Sequence, residues 1–153
     1  MKIGYSGVCC SGKSSIVMKY IQDNPQTGML KDIDRLGYVN YNNMSDPLEH
    51  LKSFMIHINY EIRLGQNFND IVTDRTAFDF LYDLNVSVNK KHPQYLIVHN
   101  MIENWIKSYD KIILLKPLPY INDGVRYSEE LREKFIKEIN IIKSKYKNII
   151  EED

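Results

Sequence analysis

The chain has 153 residues, of which 43% are apolar and 26% are charged, and its formal net charge at pH 7 is zero. This length and composition fit one globular domain with a core of ordinary size. A neutral net charge argues against an extended nucleic-acid footprint but leaves room for a local basic patch. No apolar run is long enough for a signal peptide or a membrane span, which predicts a cytoplasmic protein.

The first third of the chain is predicted to form a strand, a helix and a second, weaker strand. Residues 2–6 form a short strand that ends at Gly7, and residues 13–22 have the apolar spacing of an amphipathic helix. Pro25 ends this helix, because proline cannot continue helical hydrogen bonding. Residues 29–33 are a weaker candidate for a second short strand.

A long helix is predicted to begin at Asp46 and Pro47. The aspartate is a suitable N-cap and proline suits the first helical position. One apolar stripe runs along this helix, and Gly65 suits its end. Exposed apolar surface on the helix would allow a homodimer. The stripe consists of Leu48, Leu51, Met55, Ile58 and Ile62.

The rest of the chain continues to alternate strands and helices. Strands are predicted at 70–74, 111–115 and 148–151, and helices at 76–84, 94–108 and 128–147. This alternation predicts an α/β fold with a central parallel sheet of about five strands and helices on both faces, as one domain over residues 1–153. Ligands of such sheets bind at the carboxyl ends of the strands.

Residues 7–14 read G-V-C-C-S-G-K-S and match the phosphate-loop pattern G-x-x-x-x-G-K-[ST]. Glycines let the backbone N–H groups point inward at phosphate oxygens, and the following helix presents its positive end to the same anion. Lys13 reaches the β and γ phosphates, and the Ser14 hydroxyl is placed to ligate Mg²⁺. ATP and Mg²⁺ are therefore the expected cofactors. The residues predicted to bind the nucleotide are Gly7, Cys10, Ser11, Gly12, Lys13, Ser14 and Ser15.

A second motif, Asp74-Arg75-Thr76, lies at the end of the strand predicted at 70–74. Asp74 is a candidate Mg²⁺ ligand, and Arg75 is suited to clamp an anionic oxygen. Together with the phosphate loop, this element resembles the small P-loop nucleoside and nucleotide kinases, including the kinase domain of bifunctional nicotinamide-riboside enzymes and small phage relatives. The resemblance implies a three-layer P-loop kinase fold and a phosphotransferase, located in the host cytoplasm if the chain is phage-encoded.

Two further segments match the same kinases. In Asp32-Ile33-Asp34-Arg35, the resemblance implies that Asp32 or Asp34 accepts the proton of the attacking hydroxyl and that Arg35 orients the acceptor. In the loop near 118–127, it implies a lid whose Arg126 closes over the transferring phosphoryl group, together with Lys13 and Arg75.

These observations predict a kinase that moves the γ-phosphoryl group of ATP to a nucleoside or nucleoside monophosphate. One alternative is a kinase that acts on a hydroxyl of polymeric nucleic acid, such as a hydroxymethylated base in phage DNA. Another is a nucleotide-binding module that hydrolyses ATP. The four histidines have no metal-ligand spacing with each other or with the two cysteines, so no zinc site is expected.

Overall fold

A computed structural model describes residues 1–9, 11–32, 44–122 and 127–152 of the chain. Five strands form one parallel sheet in the order β2-β3-β1-β4-β5, which confirms the predicted α/β sheet. The first strand lies in the middle, so the residues that follow it reach the centre of the carboxyl edge of the sheet. The strands are β1 (Lys2–Ser6), β2 (Gly28–Leu30), β3 (Ile71–Asp74), β4 (Lys111–Leu114) and β5 (Ile149–Glu151).

Helices cover both faces of the sheet and give the predicted three layers. Among the described residues, the first helix packs on one face, where Val17 meets Tyr5 and Val72, and the other four helices build the larger core on the opposite face. No helix in the described part of the chain is long and apolar enough to cross a bilayer. The helices are α1 (Lys13–Asp23), α2 (Pro47–Asn67), α3 (Ala77–Ser87), α4 (Tyr95–Ile106) and α5 (Glu129–Ile142), which continues into a 3₁₀ turn at Lys143–Lys145.

The second helix begins as predicted but buries a different face. The Asp46 side chain accepts a hydrogen bond from the Leu48 amide, with Pro47 in the first turn, and Gly65 lies inside the helix rather than at its end. Leu48, Met55 and Ile62 are 46%, 54% and 48% exposed. The buried face is mostly polar: it carries His50, Ser53, Phe54, His57 and Glu61.

A buried hydrogen-bond network around Glu61 explains why this polar face is inside. The carboxylate accepts from His57 Nε2 at 2.7 Å, Lys2 Nζ at 2.9 Å and Trp105 Nε1 at 2.8 Å, and also from the Tyr109 hydroxyl. Burial raises the pKa of Glu61, but the hydrogen bond and charge of His57, followed by Lys2 and Tyr109, lower it to about 2. A carboxylate with this many donors is stable inside the protein, so the network ties α2 to β1 and α4.

Candidate active site

The phosphate loop leaves the end of β1 and enters α1 through two glycines with left-handed backbone angles. Gly7 has φ 147° and Gly12 has φ 77°, values that residues with a Cβ rarely adopt. The buried Lys13 ammonium donates to the carbonyl oxygens of Gly7 and Val8, so its stem runs back along the loop. The amides of the first turn of α1 have no acceptor within the helix, which makes this turn suited to bind an anion.

A hydroxyl and a carboxylate meet beside the loop. Ser14 Oγ donates to Asp74 Oδ2 at 2.6 Å, which joins the start of α1 to the end of β3. Burial raises the pKa of Asp74, although Ser14 and Lys13 oppose the shift. The other oxygen, Oδ1, is buried and has no hydrogen-bond partner within the described residues. A serine hydroxyl and an unsatisfied carboxylate oxygen fit Mg²⁺, which binds one or two carboxylates together with substrate phosphates.

Arg75 directs its side chain toward a second buried carboxylate. Its Nε lies 2.9 Å from Oδ2 of Asp32, which follows β2 and is only 6% exposed. Arg75 has φ 87°, which is unusual for a residue other than glycine and indicates local backbone strain. Strained residues of this kind concentrate at functional sites.

The charged groups of the site are close enough to influence one another. Burial lowers the pKa of the Lys13 ammonium and Arg75 lowers it further, whereas Asp79, Asp74 and Asp32 raise it. Two basic and three acidic side chains therefore lie near one another at the carboxyl edge of the sheet. Of these groups, Lys13 and Arg75 can stabilise negative charge that develops on a ligand.

The other predicted site residues divide into two groups. Ser11 is buried within the loop, and its hydroxyl lies 3.4 Å from Lys13 Nζ, whereas the side chain of Ser15 is exposed in the first turn of α1. The remaining predicted residues are Cys10, Asp34, Arg35 and Arg126, and they lie outside the described part of the chain.

Neither the protein-family models nor the curated proteins compared with the chain give a match. Solved structures do give matches. A NadR protein in complex with NR superimposes with a TM-score of 0.76 at 15% identity over 99% of the chain, which spans 45% of the length of that protein. Deoxyadenosine kinase from M. mycoides gives 0.65 at 16% identity, covering 100% of the chain and 90% of the kinase. Thymidylate kinase from Candida albicans gives 0.68 at 16% identity, covering 99% and 82%.

The chain has the fold of the P-loop nucleoside and nucleotide kinases. At these identities the likeness establishes the fold, and it agrees with the resemblance drawn from the two motifs. In this kinase fold, the described site residues all lie at the carboxyl edge of the sheet, where α/β proteins bind their ligands.

Asp79 is a site residue that the sequence motifs did not indicate. Its carboxylate accepts from Ser6 Oγ at 2.8 Å, Gly7 N at 3.1 Å, Thr76 N at 2.9 Å and the Tyr82 hydroxyl at 2.8 Å. These bonds fix the start of the phosphate loop to the start of α3. The spacing Thr76-x-x-Asp79 is that of a capping box, which the structure contains, so the sequence did carry this signal.

The middle of the phosphate loop is held by Tyr127, at the end of the predicted lid loop, and by Arg132 of α5. The Cys9 amide donates to the Tyr127 hydroxyl at 2.6 Å, and the Cys9 carbonyl accepts from Arg132 Nε at 3.1 Å. Arg132 also donates to the Leu118 carbonyl, at the other end of the loop. These contacts join parts of the chain more than 100 residues apart, so no local sequence pattern indicates them.

An apolar groove begins at the phosphate loop and runs between β4 and α5. Most of its lining side chains are apolar, and Lys116, Asn140 and Glu151 are its polar members. Among its lining residues are Val8, Leu114, Pro117, Ile136, Ile139 and Asn140.

Proposed function

We propose that this protein is an ATP-dependent kinase that transfers the γ-phosphoryl group to a nucleoside or nucleoside monophosphate. The observation that carries the proposal is the ion pair between Arg75 and the buried Asp32, beside the Ser14–Asp74 hydrogen bond at the mouth of the phosphate loop. A module that only binds or hydrolyses ATP has no need of this second pair. The kinase fold supports the same interpretation.

The donor side of the reaction is assigned to the loop and its neighbours. The amides at the start of α1 bind the phosphates of ATP, and Lys13 leaves the loop carbonyls to contact phosphate oxygens. Ser14 and Asp74 would hold Mg²⁺, which neutralises charge on the phosphates when it is bound.

The acceptor side is assigned to Asp32 and Arg75. A carboxylate within reach of an acceptor hydroxyl takes its proton as the oxygen attacks the γ-phosphorus, and the bond from that phosphorus to the leaving ADP oxygen breaks. Arg75 holds Asp32 in place through their ion pair. A base of this kind favours a hydroxyl acceptor, hence a nucleoside. Asp34 as an alternative base, Arg35 as an acceptor contact and Arg126 as the lid arginine remain predictions.

The test is a transfer assay with Mg²⁺ and γ-labelled ATP against nucleosides, nucleoside monophosphates, single-stranded DNA and hydroxymethyluracil-containing DNA. We expect label on a nucleoside or monophosphate. Lys13→Ala should abolish the transfer, while Lys19→Ala, an exposed lysine on α1, should retain it.

Two other outcomes of the transfer assay would each replace the proposal. Label on the polymer alone, with activity that falls steeply as salt rises, would replace the proposal with a nucleic-acid kinase. Label released only as inorganic phosphate, at a rate that no acceptor changes, would replace it with an ATPase module.

A further inference from the structure

The carboxylate of Asp79 divides its hydrogen bonds between the two halves of the candidate site. Its Oδ1 accepts from the Gly7 amide at 3.1 Å, at the start of the phosphate loop. Its Oδ2 accepts from the Thr76 amide at 2.9 Å, in the peptide unit that follows Arg75. One side chain, only 2% exposed, therefore contacts the backbone of both the donor side and the acceptor side.

On the acceptor side, this carboxylate helps to hold the left-handed backbone of Arg75. A strained conformation of this kind persists only where the surrounding structure fixes it. The Arg75 amide donates to the Tyr5 carbonyl at 3.0 Å, and the next amide, that of Thr76, donates to Asp79. These two bonds fix the peptide units on both sides of Arg75, whose side chain pairs with Asp32.

On the donor side, α3 fixes the peptide units on both sides of Gly7. The Gly7 amide donates to Asp79, and the Gly7 carbonyl accepts from the Tyr82 hydroxyl at 3.3 Å. The same hydroxyl lies 2.8 Å from Asp79 Oδ1. Because the Gly7 carbonyl also accepts from the Lys13 ammonium, the start of the loop and its lysine are both held through α3.

The four donors around Asp79 require a carboxylate. Each oxygen faces one hydroxyl and one backbone N–H: Oδ1 faces Tyr82 and Gly7, and Oδ2 faces Ser6 and Thr76. A backbone N–H can only donate, so the NH₂ group of an asparagine here would oppose a donor in either orientation of its amide. The change from aspartate to asparagine keeps the shape of the side chain but releases one half of the site.

We infer that Asp79 is a positioning residue for phosphoryl transfer, because its two oxygens hold the phosphate loop and Arg75 in one fixed relation. This inference rests on the proposed function. The γ-phosphorus of ATP on the loop must meet an acceptor hydroxyl beside Asp32, and a misplacement of about 1 Å costs about 10²-fold in rate. A single carboxylate that holds both sides limits such a misplacement.

The kinetic test compares Asp79→Asn with Asp46→Ala. Both changes weaken the N-terminus of a helix, since Asp79 belongs to the capping box of α3 and Asp46 caps α2. We expect Asp79→Asn to lower kcat/KM by about 10²-fold in the transfer assay, at a temperature where circular dichroism shows that both variants are folded. Asp46→Ala should keep the natural kcat and KM. Equal losses in the two variants, or no loss in Asp79→Asn, would overturn the inference.

NMR of the protein without nucleotide tests the two bonds independently of the acceptor. In the natural protein, the Gly7 and Thr76 amide protons should resonate downfield and exchange slowly, because hydrogen bonds to a carboxylate are short and strong. Asp79→Asn should move one of these signals upfield. A shifted Gly7 signal should accompany a higher Kd for ATP, whereas a shifted Thr76 signal should accompany a higher KM for the acceptor with the Kd for ATP unchanged.

The two measurements separate a failure of this inference from a failure of the proposed function. A natural protein that transfers label but lacks the downfield signals overturns the positioning role of Asp79 and leaves the proposed function in place. The same holds if the affinity that falls in Asp79→Asn belongs to the half whose signal did not move. A natural protein that transfers label to no acceptor overturns the proposed function, and the inference falls with it.

Discussion

Arg75 shows how one residue connects the two halves of the site. Its left-handed backbone at the end of β3 is followed by Thr76 and α3, while its guanidinium reaches the carboxylate after β2. The proposed general base is therefore held by the residue that directly follows the strand of the proposed Mg²⁺ ligand.

Replacing Asp32 by asparagine tests this assignment directly. Asp32→Asn keeps the shape of the side chain but removes the proton acceptor, so we expect kcat to fall by about 10²–10⁴-fold while the Kd for ATP changes little. Measurements of single-turnover transfer and of equilibrium nucleotide binding separate the two effects. Asp23→Asn, an exposed change at the end of α1, is the matched control. If Asp34→Asn loses activity and Asp32→Asn does not, the base is Asp34.

Two glycines offer a test of packing at single residues. A Cβ on Gly4, in the central strand, would lie 2.1 Å from Thr76 Cγ2 and 3.2 Å from Tyr109 Cδ1, whereas a Cβ on Gly65 would meet nothing within 4 Å. We expect Gly4→Ala to reduce the free energy of unfolding by about 2–3 kcal/mol through overpacking. Gly65→Ala should raise it by about 0.5–1 kcal/mol because glycine is a poor helix former. Urea unfolding at fixed protein concentration measures both, and equal effects would contradict the packing described here.

Residues of the site were predictable where the signal is local. The phosphate loop is contiguous, and Asp74 follows a recognisable strand, so the Ser14–Asp74 contact follows from the rule that parallel strands end at one edge. Tyr127 and Arg132 were not predictable, because their partner Cys9 is brought near them only by the completed sheet.

At the scale of elements, the Glu61 network predicts a specific dependence of stability on pH. The folded-state pKa of Glu61 is about 2, below the usual 4.5. The carboxylate therefore contributes stability that is complete above pH 4.5 and is lost as the pH falls toward 2. The contribution is about 3 kcal/mol, given 1.36 kcal/mol per pKa unit.

Urea unfolding at several pH values tests this with a matched pair of variants. Glu61→Gln should be less stable than the natural chain at pH 7, and the difference should shrink as the pH falls below 4.5. Glu133→Gln, an exposed change on α5, should follow the natural chain at every pH. A constant difference between Glu61→Gln and the natural chain over this range would show that the carboxylate is not charged in the folded protein.

The second helix also shows which features of an element the sequence predicts and which it does not. Its beginning was predictable from Asp46 and Pro47, because a cap acts within one turn. The identity of its buried face was not, because the polar side of the helix is inside only by virtue of donors from Lys2, Trp105 and Tyr109. Periodicity records which residues share a face, and distant partners decide which face is buried.

At the scale of the whole molecule, the alternation of strands and helices was sufficient to predict a parallel sheet, since each crossover requires a helix. No single segment of the sequence predicts the strand order β2-β3-β1-β4-β5. It places β1 between β3 and β4, and so puts the phosphate loop next to the strand that ends in Asp74. At its other end, β1 carries Lys2, which belongs to the Glu61 network.

This shared central strand predicts that the site and the α2–α4 layer unfold together. Trp105, the single tryptophan, reports on that layer, and circular dichroism reports on all helices. If residues 1–153 form one domain, both signals should give one thermal transition at a fixed protein concentration. MgATP at about 100 times its Kd should raise that transition by about 5–10 °C in both signals, because binding to the folded state alone adds about 2.7 kcal/mol. Lys13→Ala should remove the shift. A tryptophan transition that stays in place while the circular dichroism transition moves would show that the α2–α4 layer is a separate unit.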